Sequence, residues 1–545
     1  MPARIGTPAD ACLRATAGTS VETSLDAAGT SACATSANIE RAIEIPSIAM
    51  PSLEVGRTPP SARDPLVALR LAITTALAVL VHGYHLGVDD AAIYVPAIKR
   101  VADPTLYPFG AEFFMSHAHL SFFPELIGGS ARLSHLPIDA VIFAWHVASV
   151  FLLLLAAWRL LGCCFESASA RWSGVALLAA TFSVPAAGTA LAIMDPYLTA
   201  RSLSTPATLF AIAWYLSNRP RPALVWLAVT ATLHPQMAVY GLLFLGVMEF
   251  RRRLWLREAA QPVCVAMIGL PLFDFSPSTG PARECLLSRT FFFVSAWAWY
   301  EWIGVFAPLA LLWWSSRANL RRTLPGFRRL AGSLVPFGLV FTAAFGVLAI
   351  PALEGYTRLQ PMRSFHLLYV IFFLLLGGLV GEYGIKARVW RWVALFVPLA
   401  VGMALLQEST FPASRHVEWP GWTNANPWIS AFLWIRQHTP KDAVFATDPY
   451  YMARPGEDAH GFRAVAERSV LADYVKDSGA VSLFPKLAPE WQSQVNAERG
   501  IDRFAPADFQ RLVKQYPVTW ILTAQPGPPD MVCPYRNSEL AVCRL

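Results

Sequence analysis

Two stretches of this chain carry no charged side chain over a length that matches the thickness of a membrane. Ser173 to Met194 runs 22 residues without an Asp, Glu, Lys or Arg, and Ala331 to Leu353 runs 23. A helix rising about 1.5 Å per residue needs about 20 such residues to cross the hydrocarbon core. Only helices and closed barrels satisfy their backbone in that medium, and these runs lack the alternation of barrel strands. The chain therefore reads as an α-helical polytopic membrane protein. Composition agrees, with 55% hydrophobic and 15% charged residues where a soluble protein has about 25% charged.

Spans are expected near 66–82, 138–158, 173–194, 203–217, 223–249, 259–275, 300–316, 331–352, 365–382 and 392–409. Lys and Arg collect in cytoplasmic loops. Arg57 and Arg63 precede the first span and place the N-terminus inside. Counting onward, sixteen cations fall on that side and eight on the other. The run Ala223–Glu249 has cationic loops at both ends, which a single crossing does not allow. His234-Pro235-Gln236 lies at its middle, and proline interrupts a helix, so the run is expected to be two short helices meeting at His234. One kinked, tilted helix is the alternative. About nine full crossings plus this broken-helix hairpin put the C-terminal region outside the cytoplasm, with the inner membrane as the location.

The chain is expected to divide into three parts. Residues 1–64 are rich in Ala, Ser, Thr and Pro without a periodic apolar face, and read as disordered. They lack the apolar core of a signal peptide, and a start at Met50 is the alternative. Residues 65–419 form the multi-span domain, with a long first outer loop at 83–137. Residues 420–545 are polar enough to fold in water. There Asn426-Pro427 opens an amphipathic helix through Ile435. Apolar runs at Ala443–Ala446, Val518–Leu522 and Leu540–Cys543, with a helix near Ala507–Tyr516, suggest a small extracytoplasmic α/β domain.

The eight cysteines are too scattered for a metal cluster. Cys533 and Cys543 are spaced for a hairpin-closing disulfide, with two free thiols as the alternative. The net charge of +7 comes mainly from cytoplasmic loop arginines. It marks topology and contact with lipid headgroups, not nucleic-acid binding.

Candidate functional residues gather on the outer side. The first outer loop carries Asp89 and Asp90 at its start, then Glu112, His117 and His119. The next has Asp195 at the end of an uncharged span, with Arg201 six residues on, and a later loop supplies Arg358 and Arg363. Each has a plainer reading. Asp89 and Asp90 would serve as helix caps, Asp195 as a cap paired with Arg201, the histidines as interfacial side chains, and the arginines as headgroup anchors. Their convergence from separate loops on one face favours a site.

This arrangement resembles the GT-C superfamily of glycosyltransferases, which includes oligosaccharyltransferases, protein mannosyltransferases and aminoarabinose transferases acting on lipid A. The likeness rests on the acidic pair opening a long first loop, the acid at the next loop and the terminal α/β domain. The stretch NPWISAFLWIRQHTPKDAVFATDP also looks like the entry to such a domain. The resemblance covers residues 65–460 and departs from the oligosaccharyltransferases in lacking a WWD motif. It implies sugar transfer from a polyprenyl-phosphate carrier to an acceptor not named by the sequence. Asp89 or Asp90 would be the base, Asp195 would position the acceptor, and Arg358 and Arg363 would receive the phosphate. Glu112, His117, His119, Arg201 and His234 would line the substrate site. Some members hold a divalent cation on such acids, here Asp89, Asp90 and Asp195, and others use none. The rival readings are a transporter or lipid flippase, and a non-catalytic assembly or sensor protein.

Overall fold

The computed structural model describes residues 65–181, 189, 191–256, 275–422 and 426–545. The segment 1–64, part of the expected span 173–194 and nearly all of that at 259–275 lie outside the described residues. Helix α1 (Pro65–His82) leads into the long loop, which is built from three short helices, α2 (Ala91–Ala102), α3 (Glu112–Ala118) and α4 (Phe123–Ser134). Then come α5 (Ile138–Gly162), α6 (Ala168–Ala179), α7 (Ala200–Leu216), α8 (Pro220–Leu233) and α9 (Pro235–Leu256). After α10 (Gly280–Leu287) the bundle resumes with α11 (Trp299–Arg317), α12 (Pro325–Val347), α13 (Ser364–Leu379) and α14 (Val389–Thr410).

Among the described residues, five helical segments are long and apolar enough to cross a membrane, at Pro65–His82, Ile138–Gly162, Pro325–Val347, Pro351–Ile385 and Val389–Thr410. Their packing identifies the solvent. Along α14 only Gln407 is buried, while Val389, Trp390, Val393, Val397, Val401 and Leu405 are exposed. A helix that turns so many apolar side chains outward is built for lipid. The main apolar core lies inside the bundle, where α5, α6, α7, α9, α12 and α13 meet.

Two expected spans depart from continuous helix. The helix begun in α6 ends at Ala179, and residues 191–199 run as irregular, mostly buried backbone into α7. Such backbone is tolerated at depth only when enclosed in protein. The second is the run 223–249, where His234 is extended (φ −155°, ψ 91°) between α8 and α9. A Cβ on Gly241 of α9 would stand 3.4 Å from Leu227 of α8. Positions 14 apart on one straight helix would be about 21 Å apart, so the chain reverses at His234. The tip is fixed against two other loops. Phe122 donates its N–H to the Thr232 carbonyl at 2.8 Å, and Tyr240 Oη donates to Gln360 O at 2.8 Å.

The C-terminal domain opens with α15 (Pro427–His438), capped by the Asn426 side chain, which accepts from the backbone of Trp428 and Ile429. It continues through β1 (Val444–Ala446), α16 (Phe462–Ala466), β2 (Ser469–Val470), α17 (Asp477–Leu483), α18 (Ala488–Glu498) and α19 (Pro506–Gln515). Strands β3 (Trp520–Ala524), β4 (Tyr535–Arg536) and β5 (Leu540–Arg544) complete a sheet of order β2-β1-β3-β5-β4. Its β2-β1-β3 part is parallel and β3-β5-β4 antiparallel. A Cys533–Cys543 disulfide fastens the segment before β4 to β5. Bundle and domain pack as one compact unit. Buried Lys99 of α2 bridges Asp139 of α5 and Glu467 after α16, each at 2.8 Å, and Arg436 of α15 reaches the same two acids at 2.6 and 2.9 Å. Buried charges survive when paired in this way.

Candidate active site

The acidic pair sits where the long loop turns under the C-terminal domain. Asp89 adopts φ +48°, a left-handed conformation that Asp and Asn tolerate better than most residues. Its N–H donates to Ala459 O at 3.0 Å, so the turn is pinned to the domain. Asp90 follows as the residue preceding α2, but its side chain makes no capping bond. Helix capping therefore does not account for these carboxylates.

They meet cations instead. Lys476, at the start of α17, contacts Asp89 Oδ1 directly and lies 3.7 Å from Asp90 Oδ1. Tyr197 donates its hydroxyl to Asp89 Oδ2 at 2.9 Å. Arg201, in the first turn of α7, stands 3.7 Å from Asp90 Oδ2 and 2.8 Å from Asp195 Oδ2. Negative and positive groups thus alternate from Lys476 through Asp90 and Arg201 to Asp195. Exposure falls along the row, from 51% for the Asp89 side chain to 30% for Asp90 and 6% for Asp195. Asp195 Oδ1 is buried and makes no hydrogen bond. Behind it lies a cavity of about 30 Å³ lined by His146, Ser149, Arg201, Thr205 and His366.

This geometry separates the proton affinities of the acids. Burial opposes charge on Asp90, yet Lys476, then Arg201 and Arg363, overcome it and hold the carboxyl well below the ordinary range. Burial dominates at Asp195 and lifts it to about 6, against the pull of Arg201. Lys476 is shifted upward, because Asp89 and Asp90 outweigh the burial of its ammonium. One acid remains ionised at neutral pH, and another titrates close to it.

The other sequence-predicted residues divide. His117 joins the site: its Nε2 is 3.0 Å from Tyr94 Oη, and the Asp90 and Arg363 charges act on it. Arg363 stacks over Phe291 at 5.7 Å. His234 is half-buried at the hairpin tip, while Glu112 and His119 are exposed on the surface of the long loop. Arg358 departs from expectation. It is 2% exposed and donates to Ser482 O at 3.0 Å, Ser276 O at 3.2 Å and Ser278 Oγ. Its guanidinium is committed to holding α17 against the segment before α10. A divalent cation does not fit the acid row, because Lys476 lies against Asp89 and Asp90 and Arg201 separates Asp90 from Asp195. Among the described residues, these acids do not form a metal-ligand group.

Sequence reasoning missed Lys476 and Tyr197. Lys476 lies 387 residues from Asp89, in a polar stretch with no periodicity to single it out. Only the packing of the domain on the loop brings them together.

Residues 426–495 match a family model described as Domain of unknown function (DUF6798). No curated protein matches the chain. Among solved structures it is similar to the Archaeoglobus fulgidus oligosaccharyltransferase in its apo form. That match has 12% identity and a TM-score of 0.43, covering 84% of this chain and 69% of the other.

Proposed function

We propose that this protein is a membrane glycosyltransferase that moves a sugar from a polyprenyl-phosphate carrier to an acceptor hydroxyl at the outer face of the membrane. The observation that carries the reading is the alternating row of carboxylates and cations where bundle, loop and domain meet. Inverting transfer needs a carboxylate to take the acceptor proton and cations to stabilise the departing phosphate. Asp90 lies near two cations without a direct hydrogen bond to either, and is the base. Lys476 and Arg363 receive the phosphate. As the phosphate engages Lys476, the cation that suppresses Asp90 most is drawn off and its carboxylate becomes a stronger base. Asp89, held by Tyr197, positions Lys476, and Asp195 orients the acceptor side through Arg201. The alternation of loop cations supports nine crossings plus the α8–α9 hairpin, with the N-terminus cytoplasmic.

The test is turnover of a lipid-linked sugar by the full chain in reconstituted vesicles. Asp90→Asn keeps the size and backbone of the site but removes the charge. Turnover is expected to fall about 10²–10⁴-fold with insertion unchanged. Full activity in Asp90→Asn would remove it from the role of base. The break at His234 and the cavity behind Asp195 also suit a transporter. Vesicles that move a lipid-linked sugar across the bilayer without cleaving it would establish that reading instead.

A further inference from the structure

A second cluster, apart from the acid row, joins the same three parts of the molecule. His85 comes from the turn after α1, Glu418 from the linker after α14, and His460 from the loop before α16. The side chains are 1%, 9% and 0% exposed. Glu418 Oε1 lies 2.9 Å from His460 Nε2 and 3.4 Å from His85 Nδ1, and the three ligand atoms lie within 4.8 Å of one another. From this geometry we infer that His85, Glu418 and His460 bind one first-row divalent cation, zinc foremost, which locks the long loop and linker to the C-terminal domain.

The chemistry of the donors points to a cation. His460 Nδ1 is 2.9 Å from the Glu457 carbonyl. A carbonyl only accepts, so Nδ1 carries a ring proton, which leaves Nε2, facing the carboxylate oxygen, as the nitrogen that would bind a cation. Metal-binding histidines commonly hold their other N–H this way. His85 Nδ1 faces the same oxygen, is buried, and makes no hydrogen bond. A proton on His460 satisfies one of these two contacts, whereas a divalent cation held by the three side chains satisfies both. Two imidazoles and one carboxylate are a zinc donor set with an open fourth position. Bonds of about 2.0–2.1 Å in tetrahedral geometry set donor atoms roughly 3.3 Å apart, close to the two spacings to Glu418.

The cage is also prearranged. Leu86 N–H fixes Glu418 Oε2 at 2.9 Å, while Tyr84 N–H donates to His416 O at 3.0 Å and Glu418 N–H donates to Tyr84 O at 2.8 Å. Gly461 N–H donates to Gly87 O at 2.9 Å, and Val88 bridges to His460. A Cβ on Gly87 would stand 2.5 Å from that of Ala464, so the approach of loop to domain requires glycine there.

The experiment is metal analysis of the full chain, purified in detergent without chelators and without a histidine tag, followed by titration with Zn²⁺ and with Co²⁺ as a spectroscopic probe. About one ion per chain is expected, with the visible absorption of four-coordinate Co²⁺. Glu418→Gln and His460→Gln should lose the ion, and the exposed His119→Gln should retain it. Folded wild-type protein that neither carries nor takes up Zn²⁺ or Co²⁺ at micromolar concentration would overturn the inference. So would an ion that persists in the triad variants. If the variants fail to fold, the wild-type titration decides alone.

Discussion

At the residue scale, the site is governed by how far burial and neighbouring charge pull apart chemically identical groups. Asp195 has a folded-state value of about 6, raised from 3.8 mainly by burial. The fold thus favours its protonated form. That contribution to stability is complete below 3.8 and is lost as pH rises through about 6. Asp195→Asn should flatten the pH dependence of thermal stability across that window; an unchanged profile would show that Asp195 is ionised throughout. Asp90 is the opposite case, with Lys476 as the first cation holding it low. Lys476→Met should return Asp90 toward the ordinary range, so the acid limb of kcat/KM moves to higher pH while donor KM rises. Neither shift is expected if Lys476 is only a clasp between domain and loop. The acids were legible in the sequence because charge beside an uncharged span is costly. Their partner was not, since Lys476 resembles any surface lysine until the fold is closed. Arg358 shows the reverse failure: a loop arginine that looked available is consumed by two backbone carbonyls and the Ser278 hydroxyl.

At the element scale, apolar runs and breakers located the helices well. α1, α5, α7, α11, α13 and α14 lie on the expected apolar runs, because length and hydropathy are what a bilayer selects. β1, β3 and β5 likewise lie on the short apolar runs of the C-terminal region. The two-residue strands β2 and β4 left no signal, being too short to show a period. His234-Pro235 marked the reversal between α8 and α9 because an extended residue followed by proline at the first helical position begins a new helix. What holds the hairpin is packing across it. A Cβ on Gly241 would stand 3.0 Å from Thr208 Cγ2 of α7 and 3.4 Å from Leu227, so three helices meet at that glycine. Gly241→Leu should therefore destabilise the protein by about 1–3 kcal/mol, the usual cost of overpacking. A melting temperature in detergent that matches wild type would mean the three helices are not in contact there.

At the scale of the whole molecule, function depends on which face of the membrane carries the junction of loop, hairpin tip and C-terminal domain. In the proposed orientation, Arg171, Arg329 and Arg388 lie inside and the acid row outside. The packing adds an independent constraint. The tip of α8–α9 meets Phe122 of the long loop and Leu359–Gln360 before α13, so all three must share one face. Lys476 and the Arg436 network place the domain on that face too. The Cys533–Cys543 disulfide is of the kind that persists in oxidising compartments. Reporter fusions after Arg171, Arg329 and Arg388 should then report cytoplasm, and fusions after Pro361 and Leu545 the outer compartment. In intact cells, a membrane-impermeant thiol reagent should label Cys533 and Cys543 only after reduction. Because the contacts bind these segments together, they must invert together if the orientation is wrong. A cytoplasmic report at Leu545 with an external one at Arg329 would turn the entire site toward the cytoplasm, where sugar arrives on soluble nucleotide donors rather than on an outward-facing lipid, and the polyprenyl-phosphate reading would fall with it.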